Sequence, residues 1–214
     1  MAGGVSDSPH RARLIDLTTE ELLTTTRTVR RRLDLDRPVA RADVERAIEI
    51  ALQAPSGGNK GGLRWLVIDD AATRQAVGEV WAECAEVYLR RLPADDPMIP
   101  GARRLQRDMG RVPVLVIPTI QGRPPSGGGL AGTASFWGSV LPAMWSFMLA
   151  LRARGMGSAW TQIHLAREEK VARIVGIPSQ VTQAGLLPVA WTVGTEFKPA
   201  RRERVEEVVS WNTW

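Results

Sequence analysis

Three arginines near the N-terminus, Arg27, Arg30 and Arg31, have the spacing of one helical face. If a helix continues through them, their guanidinium groups repel one another unless anions lie between them. Asp34 and Asp36 could supply those anions within the chain. A bound phosphate could also do so, because the guanidinium fork matches two phosphate oxygens. The residues alone leave both interpretations open.

A second polar segment, residues 54–59 (APSGGN), joins a predicted core helix to a predicted core strand. Pro55 disfavours helical geometry at the residue before it. The two glycines permit positive φ and a close approach to the backbone. Ser56 and Asn59 present a hydroxyl and an amide, which donate and accept hydrogen bonds. Such a loop could hold the polar edge of a flat heterocycle, or it could simply end a helix with a turn.

The other reactive side chains give weaker evidence of a function than these two segments. The single cysteine, Cys84, lies in an apolar helical pattern, which favours an inert core thiol over a nucleophile. One cysteine and two histidines cannot form a standard zinc site, so no metal is expected. His164 is a candidate proton donor, but a structural role is favoured. No catalytic residue is therefore assigned.

Hydrophobic periodicity predicts the elements that must position these segments. Val44, Ala47, Ile48 and Ala51 mark one face of a helix that ends before residue 54. A capping-box pair begins another helix at residue 18, which is expected to continue into the arginines at 27–32. Further helices are predicted over residues 71–91, 103–111, 138–154 and 168–175. Strands are predicted over residues 65–68, 113–118, 156–162 and 186–193, with their direction left open.

Composition limits the class of protein. The chain has 214 residues, which suits one domain, here residues 14–214 after a flexible N-terminal segment, residues 1–13. A net charge of +5 favours anionic partners, but the arginines are scattered and match no nucleic-acid-binding motif. The apolar run at 140–151 is shorter than the roughly 20 residues of a membrane span. We expect no nucleic acid, no membrane and a cytoplasmic location, with a mobile loop over residues 121–132.

Four segments, in the same order, resemble the FMN-dependent nitroreductase family. They are residues 27–31 (RTVRR), residues 54–59 before the 65–68 strand, residues 155–161 (GMGSAWT) after the apolar helix, and the C-terminal series of residues 176–178 (GIP), 187–190 (LPVA), Gly194, 201–202 (RR) and 205–211. The resemblance implies an α+β fold with a central, mostly antiparallel sheet flanked by helices, in an intertwined homodimer. It also implies a C-terminal arm, about residues 200–214, that reaches the partner subunit and buries Trp211 and Trp214.

The resemblance further implies the residues that hold FMN. Its phosphate would lie between the N-terminal and C-terminal basic segments, and its ring between the loop at 54–59, contributed by the partner subunit, and the segment at 158–161. The implied phosphate contacts are Arg27, Thr28, Arg30 and Arg31, with Arg201 and Arg202, and with Lys198 as a weaker candidate. The implied ring contacts are Pro55, Ser56, Asn59, Ser158, Ala159, Trp160 and Thr161.

One departure from the family pattern lies beside the ring contacts. Many relatives carry a glutamine and an aromatic residue two and four positions after the asparagine. Here those positions are Gly61 and Leu63, which removes an amide and a ring from the pocket edge. Arg64 could restore polarity there or point to solvent.

The resemblance implies an NAD(P)H-dependent oxidoreductase that passes hydride from NADH or NADPH, through flavin N5, to a nitroaromatic, a quinone or a similar acceptor. Two alternatives remain open. One is a specialised flavoenzyme that carries out ene-type reduction, dehalogenation, flavin fragmentation or a biosynthetic dehydrogenation. The other is a flavin-binding protein without turnover.

Overall fold

The computed structural model describes residues 12–127 and 129–214. The helices in this part of the chain are α1 (Thr19–Thr25), α2 (Arg41–Ala51), α3 (Ala71–Leu89), α4 (Ile99–Asp108), α5 (Gly129–Gly138), α6 (Leu141–Arg152), α7 (Glu168–Val175) and α8 (Val205–Val208). The strands are β1 (Leu63–Ile68), β2 (Val114–Gln121), β3 (Met156–Ser158), β4 (Val181–Gln183) and β5 (Leu187–Trp191). Short 3-10 turns cover Gly57–Asn59, Met109–Arg111 and Ile163–Arg167.

The strands form one sheet in the order β1-β2-β5-β3, and β4 pairs with the far end of β2. Every pairing between these strands is antiparallel. The α+β class with a central antiparallel sheet is therefore confirmed. The short strand β4 was not predicted, because three residues between a proline and a glycine carry too little periodicity.

The sheet lies between two layers of helices, and alternate residues of β2 face one layer or the other. Leu115 and Ile117 belong to the core cluster that contains α3 and α4. Val114 and Val116 belong to the cluster that contains α2 and α6. Because both faces are covered, β2 is apolar at nearly every position, as the sequence indicated.

The prediction that α1 continues through the arginines is wrong. Its capping box forms between Thr18 and Glu21, as predicted, but the helix ends at Thr25. Three consecutive threonine hydroxyls, at residues 24–26, donate to the carbonyls four residues earlier, and such bonds, with β-branching, weaken helix continuation. The following chain pairs instead with distant strands, where the Val29 N–H donates to the Ser158 carbonyl.

The apolar helix predicted over residues 138–154 is present as α6, which is shorter than predicted at both ends. A turn at residues 139 and 140 separates it from α5, a helix that was not predicted. Pro142 lies in the first turn of α6, and Gly155 follows its end with a positive φ of 77°, as expected. The loop expected over 121–132 is shorter than predicted, because β2 extends to Gln121 and α5 begins at Gly129; Gly128 is outside the described residues.

The strand predicted over 156–162 is shorter too, since β3 ends at Ser158 and the chain then turns inward. Most of the N-terminal segment, residues 1–13, lies outside the described residues. Its last part is attached to the domain, where the Ala12 N–H donates to Asp43 at 2.7 Å.

One described stretch, Gly129–Arg152, is long and apolar enough to cross a membrane by length and composition alone. It is α5 and α6 taken together, including the turn between them. Core helices of soluble proteins pass the same test. Because Met144, Phe147 and Leu151 of α6 are buried in the core, the stretch is weak evidence for a membrane span.

Candidate functional site

A basic groove of about 600 Å³ lies where the end of α1 meets the segment after β5. Other cavities of similar volume exist elsewhere on the domain, one of them beside α7, so size alone does not mark a site. The chemistry of the lining residues distinguishes the basic groove from these cavities. The groove brings together Arg27, Thr28, Arg30, Lys198 and Arg202, which are separated by up to 175 positions in the sequence.

The two basic segments are joined by a direct hydrogen bond. The Arg27 Nη1 atom donates to the backbone carbonyl of Lys198 at 2.9 Å. This contact fixes Arg27 against the C-terminal segment and keeps the two sides of the groove together. Arg31 and Arg201 are placed differently. Arg31 faces a neighbouring cavity, and Arg201 does not line the groove.

No ion pair of the described residues involves Arg27, Arg30 or Arg202. Asp34, which the sequence offered as a carboxylate partner, accepts instead from the backbone N–H groups of residues 36 and 37. A half-buried Arg30 donates only a weak bond, at 3.8 Å, to the sulfur of Met98. The cationic lining is therefore suited to an external anion.

Burial affects Arg30 directly. Desolvation lowers the pKa of its guanidinium from the usual value, and the nearby Tyr88 opposes that change in part. An arginine remains charged under such conditions. A half-buried cation without a carboxylate is costly, and an anion in the groove would relieve that cost.

The segment at 158–161 lies directly behind the arginine segment. The Trp160 N–H donates to the Thr28 hydroxyl at 3.4 Å, and Val29 pairs with the Ser158 carbonyl. Ser158 Oγ is buried and has no hydrogen-bond partner among the described residues. Since buried hydroxyls are almost always paired, this unpaired atom is an exception that the described residues do not explain.

Thr161 has a different character. Its buried hydroxyl accepts from the Trp81 indole at 3.0 Å and donates to the Leu186 carbonyl at 2.7 Å. The side chain is therefore fully engaged within the chain, and it anchors the end of the 158–161 segment. Ala159 is completely buried.

The loop at 54–59 lies on another part of the surface. Pro55 and Asn59 are exposed, Ser56 is half-buried, and no hydrogen bond of the described residues joins the loop to residues 27–32 or 158–161. Its own geometry is unusual, since Gly58 and Asn59 have positive φ values of 60° and 52°. Within one chain the loop therefore does not complete the groove.

Gly61 and Gly62, which follow the loop, also have positive φ. A side chain at Gly61 would meet nothing within 4 Å. The position where relatives carry glutamine is therefore open space in a single chain. Arg64 donates to the neighbouring Leu63 carbonyl and is exposed.

His164 is fully buried in the short turn after the 158–161 segment. Desolvation lowers its pKa to about 4, and neither ring nitrogen has a hydrogen-bond partner among the described residues. The ring is therefore neutral at neutral pH. Burial likewise raises the pKa of the Cys84 thiol, as expected of an inert cysteine. The described residues contain no group of three or more potential metal ligands.

Sequence reasoning missed several residues that line the groove, namely Leu23, Thr24, Thr26, Trp145, Pro199 and Ala200. Trp145 was interpreted only as part of an apolar helix, although 37% of it is exposed. The threonines could have been found from their position directly before the first arginine.

The C-terminal arm leaves the groove and packs little against the rest of its own chain. Every residue from 201 to 214 is exposed, and the arm carries Trp211 and Trp214, which are 84% and 111% exposed. An exposed tryptophan pair at the end of an arm requires a surface to cover it.

These features define an α+β protein in which an antiparallel sheet between two helical layers supports a basic groove. Residues 23–191, more than half of the chain, match the model of the Nitroreductase family. The chain belongs to the nitroreductase family.

Solved structures share the fold over nearly the whole chain. Iodotyrosine deiodinase bound to FMN and 3-iodo-L-tyrosine has a TM-score of 0.72 and 22% identity, covering 91% of this chain and 99% of that one. The FMN- and NADPH-dependent nitroreductase NfnB from Sphigopyxis sp. strain HMH has a TM-score of 0.68 and 21% identity, covering 92% and 100%. A BluB-like flavoprotein from Clostridium difficile 630 has a TM-score of 0.67 and 18% identity, with the same coverage. No curated protein sequence matches the chain.

Proposed function

We propose that the protein is an FMN-dependent oxidoreductase that uses NADH or NADPH to reduce a nitroaromatic, a quinone or a similar small acceptor. The observation that carries this proposal is the convergence of Arg27, Arg30 and Arg202 on one groove without an internal carboxylate. A terminal phosphate fits such a groove, because each guanidinium can donate two charge-assisted hydrogen bonds to it. FMN has that phosphate, and similar folds bind FMN.

The phosphate end of the proposed site would be held by Arg27, Thr28, Arg30 and Arg202. Lys198 also lines the groove, which supports adding it to these contacts. Arg31 and Arg201 lie outside the groove lining and would add only positive charge nearby. Arg27 is already fixed by the Lys198 carbonyl, so it would position the groove as well as bind. A preorganised groove loses less entropy when the anion binds.

The ring end would be held by Ser158, Ala159, Trp160 and Thr161 of one subunit and by Pro55, Ser56 and Asn59 of its partner. The unpaired, buried Ser158 Oγ supports a polar ring contact there. Thr161 would act through its backbone, because its hydroxyl is engaged. The chemistry that FMN supplies when bound is hydride transfer between NAD(P)H and the acceptor.

The proposed site needs a homodimer, since the loop at 54–59 does not reach the groove within one chain. The exposed arm, residues 200–214, and the exposed Leu130 on α5 support this assembly, because they present apolar surface that a second copy could cover. We also propose a cytoplasmic location, where NADH and NADPH are available.

A visible spectrum of the purified protein tests the proposal first. We expect a yellow protein whose flavin is released on denaturation as FMN rather than FAD. Steady NADH or NADPH oxidation in the presence of a nitroaromatic or a quinone then tests turnover. An iodinated phenol belongs in the same screen, because the fold is shared with a deiodinase.

A colourless protein that does not bind added FMN would contradict the proposal. A protein that binds FMN but oxidises neither nucleotide with any acceptor would be a flavin-binding protein without this activity.

A further inference from the structure

The loop at 54–59 is attached to α5 at one well-defined point. The backbone N–H of Gly57 donates to Ser139 Oγ at 2.8 Å, and the Ser139 hydroxyl donates to the Ser135 carbonyl at 2.7 Å. Ser139 lies in the turn between α5 and α6. The loop is therefore tied to the place where the apolar helical stretch is interrupted.

The contact leaves little space for a side chain at position 57. A Cβ atom at Gly57 would lie 2.5 Å from Ser135 Oγ and 3.0 Å from Ser139 Oγ. The φ of this residue is not positive, so the constraint is one of space and not of a special backbone conformation. The two serines form a seat for the loop, and we call Ser135 and Ser139 the serine seat.

We infer that the serine seat positions the flavin-facing loop, so that Ser139 is a positioning residue for the isoalloxazine ring. The inference rests on the proposed function, which puts Pro55, Ser56 and Asn59 against the ring. Within the loop, Gly58 and Asn59 have positive φ, and Asn59, as a non-glycine residue, needs surrounding contacts to hold that conformation. The seat supplies the side-chain contact that does so.

The seat also connects the loop to the surface that the proposed dimer would cover. Helix α5 exposes Leu130. The half-buried rings of Phe136 and Trp137 on the same helix pack edge to face, with their centroids 5.3 Å apart. If the partner subunit packs on α5, the position of the loop depends on that packing through the serine seat. The ring contact and the assembly of the dimer would then be coupled.

The first test is Ser139→Ala, with Ser139→Thr as the conservative variant and Ser179→Ala, an exposed serine beside α7, as the control. Affinity for FMN and for riboflavin is measured by flavin fluorescence. Ser139→Ala should weaken both ligands by about two- to tenfold, the range expected for one hydrogen bond. Ser139→Thr should recover most of this loss, and Ser179→Ala should change neither affinity.

The second test is a double-mutant cycle that does not remove the hydroxyl of Ser139. Gly57→Ala should weaken flavin binding, and Ser135→Ala alone should have little effect, because the Ser135 side chain makes no hydrogen bond in the described part of the chain. Gly57→Ala combined with Ser135→Ala should recover part of the loss, because the closest obstruction is gone. Such coupling is not expected of a general effect on folding.

The outcomes separate the inference from the proposed function. A wild-type protein that binds neither flavin contradicts the proposed function, and the inference falls with it. Normal wild-type binding with unchanged affinity in Ser139→Ala, or with no coupling between Gly57 and Ser135, overturns the inference alone. A loss for FMN but not for riboflavin also overturns it, since that result belongs to the phosphate end.

Discussion

The phosphate end and the ring end of the proposed site are built in different ways. The phosphate end is complete within one chain, because the Arg27 contact with the Lys198 carbonyl joins its two sides at 2.9 Å. The ring end is divided, since residues 158–161 lie behind the groove while the loop at 54–59 is held by α5 elsewhere. In the proposed site, one chain would supply the phosphate contacts and two chains would hold the ring.

This difference predicts which perturbations act on one end alone. Changes to the arginines should affect a ligand only through its phosphate. Changes to the assembly should affect the ring as well, and they should therefore affect flavins with and without a phosphate. The comparison is sharpest when FMN and riboflavin are measured side by side, because riboflavin lacks the phosphate.

The largest effect is expected from removal of residues 205–214, which carry the exposed Trp211 and Trp214. The truncated protein should become monomeric at micromolar concentration and should lose bound flavin during purification. Light scattering and the visible spectrum measure both. Val87→Ser, on an apolar residue of α3 that is 55% exposed, is the control and should leave the dimer intact. A truncated protein that remains a yellow dimer would refute the role of the arm.

A smaller effect concerns His164, which lies in the short turn after the 158–161 segment. Its pKa is lowered to about 4 by burial, so the folded state resists protonation while the unfolded state binds a proton near pH 6.5. The free energy of unfolding should therefore be highest above pH 6.5 and decrease as the pH falls towards 4. The expected decrease is on the order of 3 kcal/mol, at about 1.4 kcal/mol for each unit of the pKa shift. Urea unfolding at pH 7 and pH 4.5 measures this loss.

His164→Met removes the titrating group and should make stability less dependent on pH in that interval. The variant should also keep NAD(P)H oxidation, because we assign His164 a structural role. An unchanged dependence of stability on pH would contradict the assigned burial effect. Loss of turnover with normal flavin binding would instead make His164 a proton donor.

Thr161→Val tests the anchor of the ring end. The substitution leaves the buried Trp81 indole N–H and the Leu186 carbonyl without their partner, which should cost about 1–3 kcal/mol of unfolding free energy. FMN and riboflavin should be weakened together, because the 158–161 segment loses its fixed end. Thr73→Val, on a half-buried threonine at the start of α3 whose hydroxyl donates to Asp70, is the matched control. A change confined to FMN would contradict the assignment.

The arrangement of the phosphate end was more predictable than that of the ring end, for physical reasons. The family resemblance implied that arginines of two distant segments share one anion site, and the groove places Arg27, Arg30 and Arg202 together. Their local conformation was not predictable. The helix expected to carry them ends at Thr25, because pairing with β3 overrides local spacing.

At the ring end, the sequence predicted the loop by its proline and glycines but gave no sign of the serine seat. The space for a side chain at Gly57 is limited by Ser135, 78 positions later. Likewise, α5 was not predicted, because it begins inside the glycine-rich stretch that was expected to be a loop. The helices and strands with strong periodicity, such as α3, α7 and β2, were predicted to within a few residues.

The smallest effect is expected from salt. Raising the ionic strength should weaken FMN binding and leave riboflavin binding nearly unchanged, because exposed charges are screened beyond the Debye length of about 8 Å at 0.15 M. Affinities at 0.05 and 0.5 M salt measure the difference. Equal sensitivity of the two flavins would indicate that the basic groove does not contact the phosphate.

The central claim is tested most directly by Arg30→Ala and Arg202→Ala, each titrated with FMN and with riboflavin. Each charge-assisted contact is worth roughly 1.5–3 kcal/mol, so each variant should bind FMN about ten- to a hundredfold more weakly. Riboflavin affinity should remain at the wild-type value. Lysine at either position should restore only part of the loss, because an ammonium cannot reproduce the guanidinium fork. If both variants weaken FMN and riboflavin equally, these arginines support the fold and the groove is not the phosphate site.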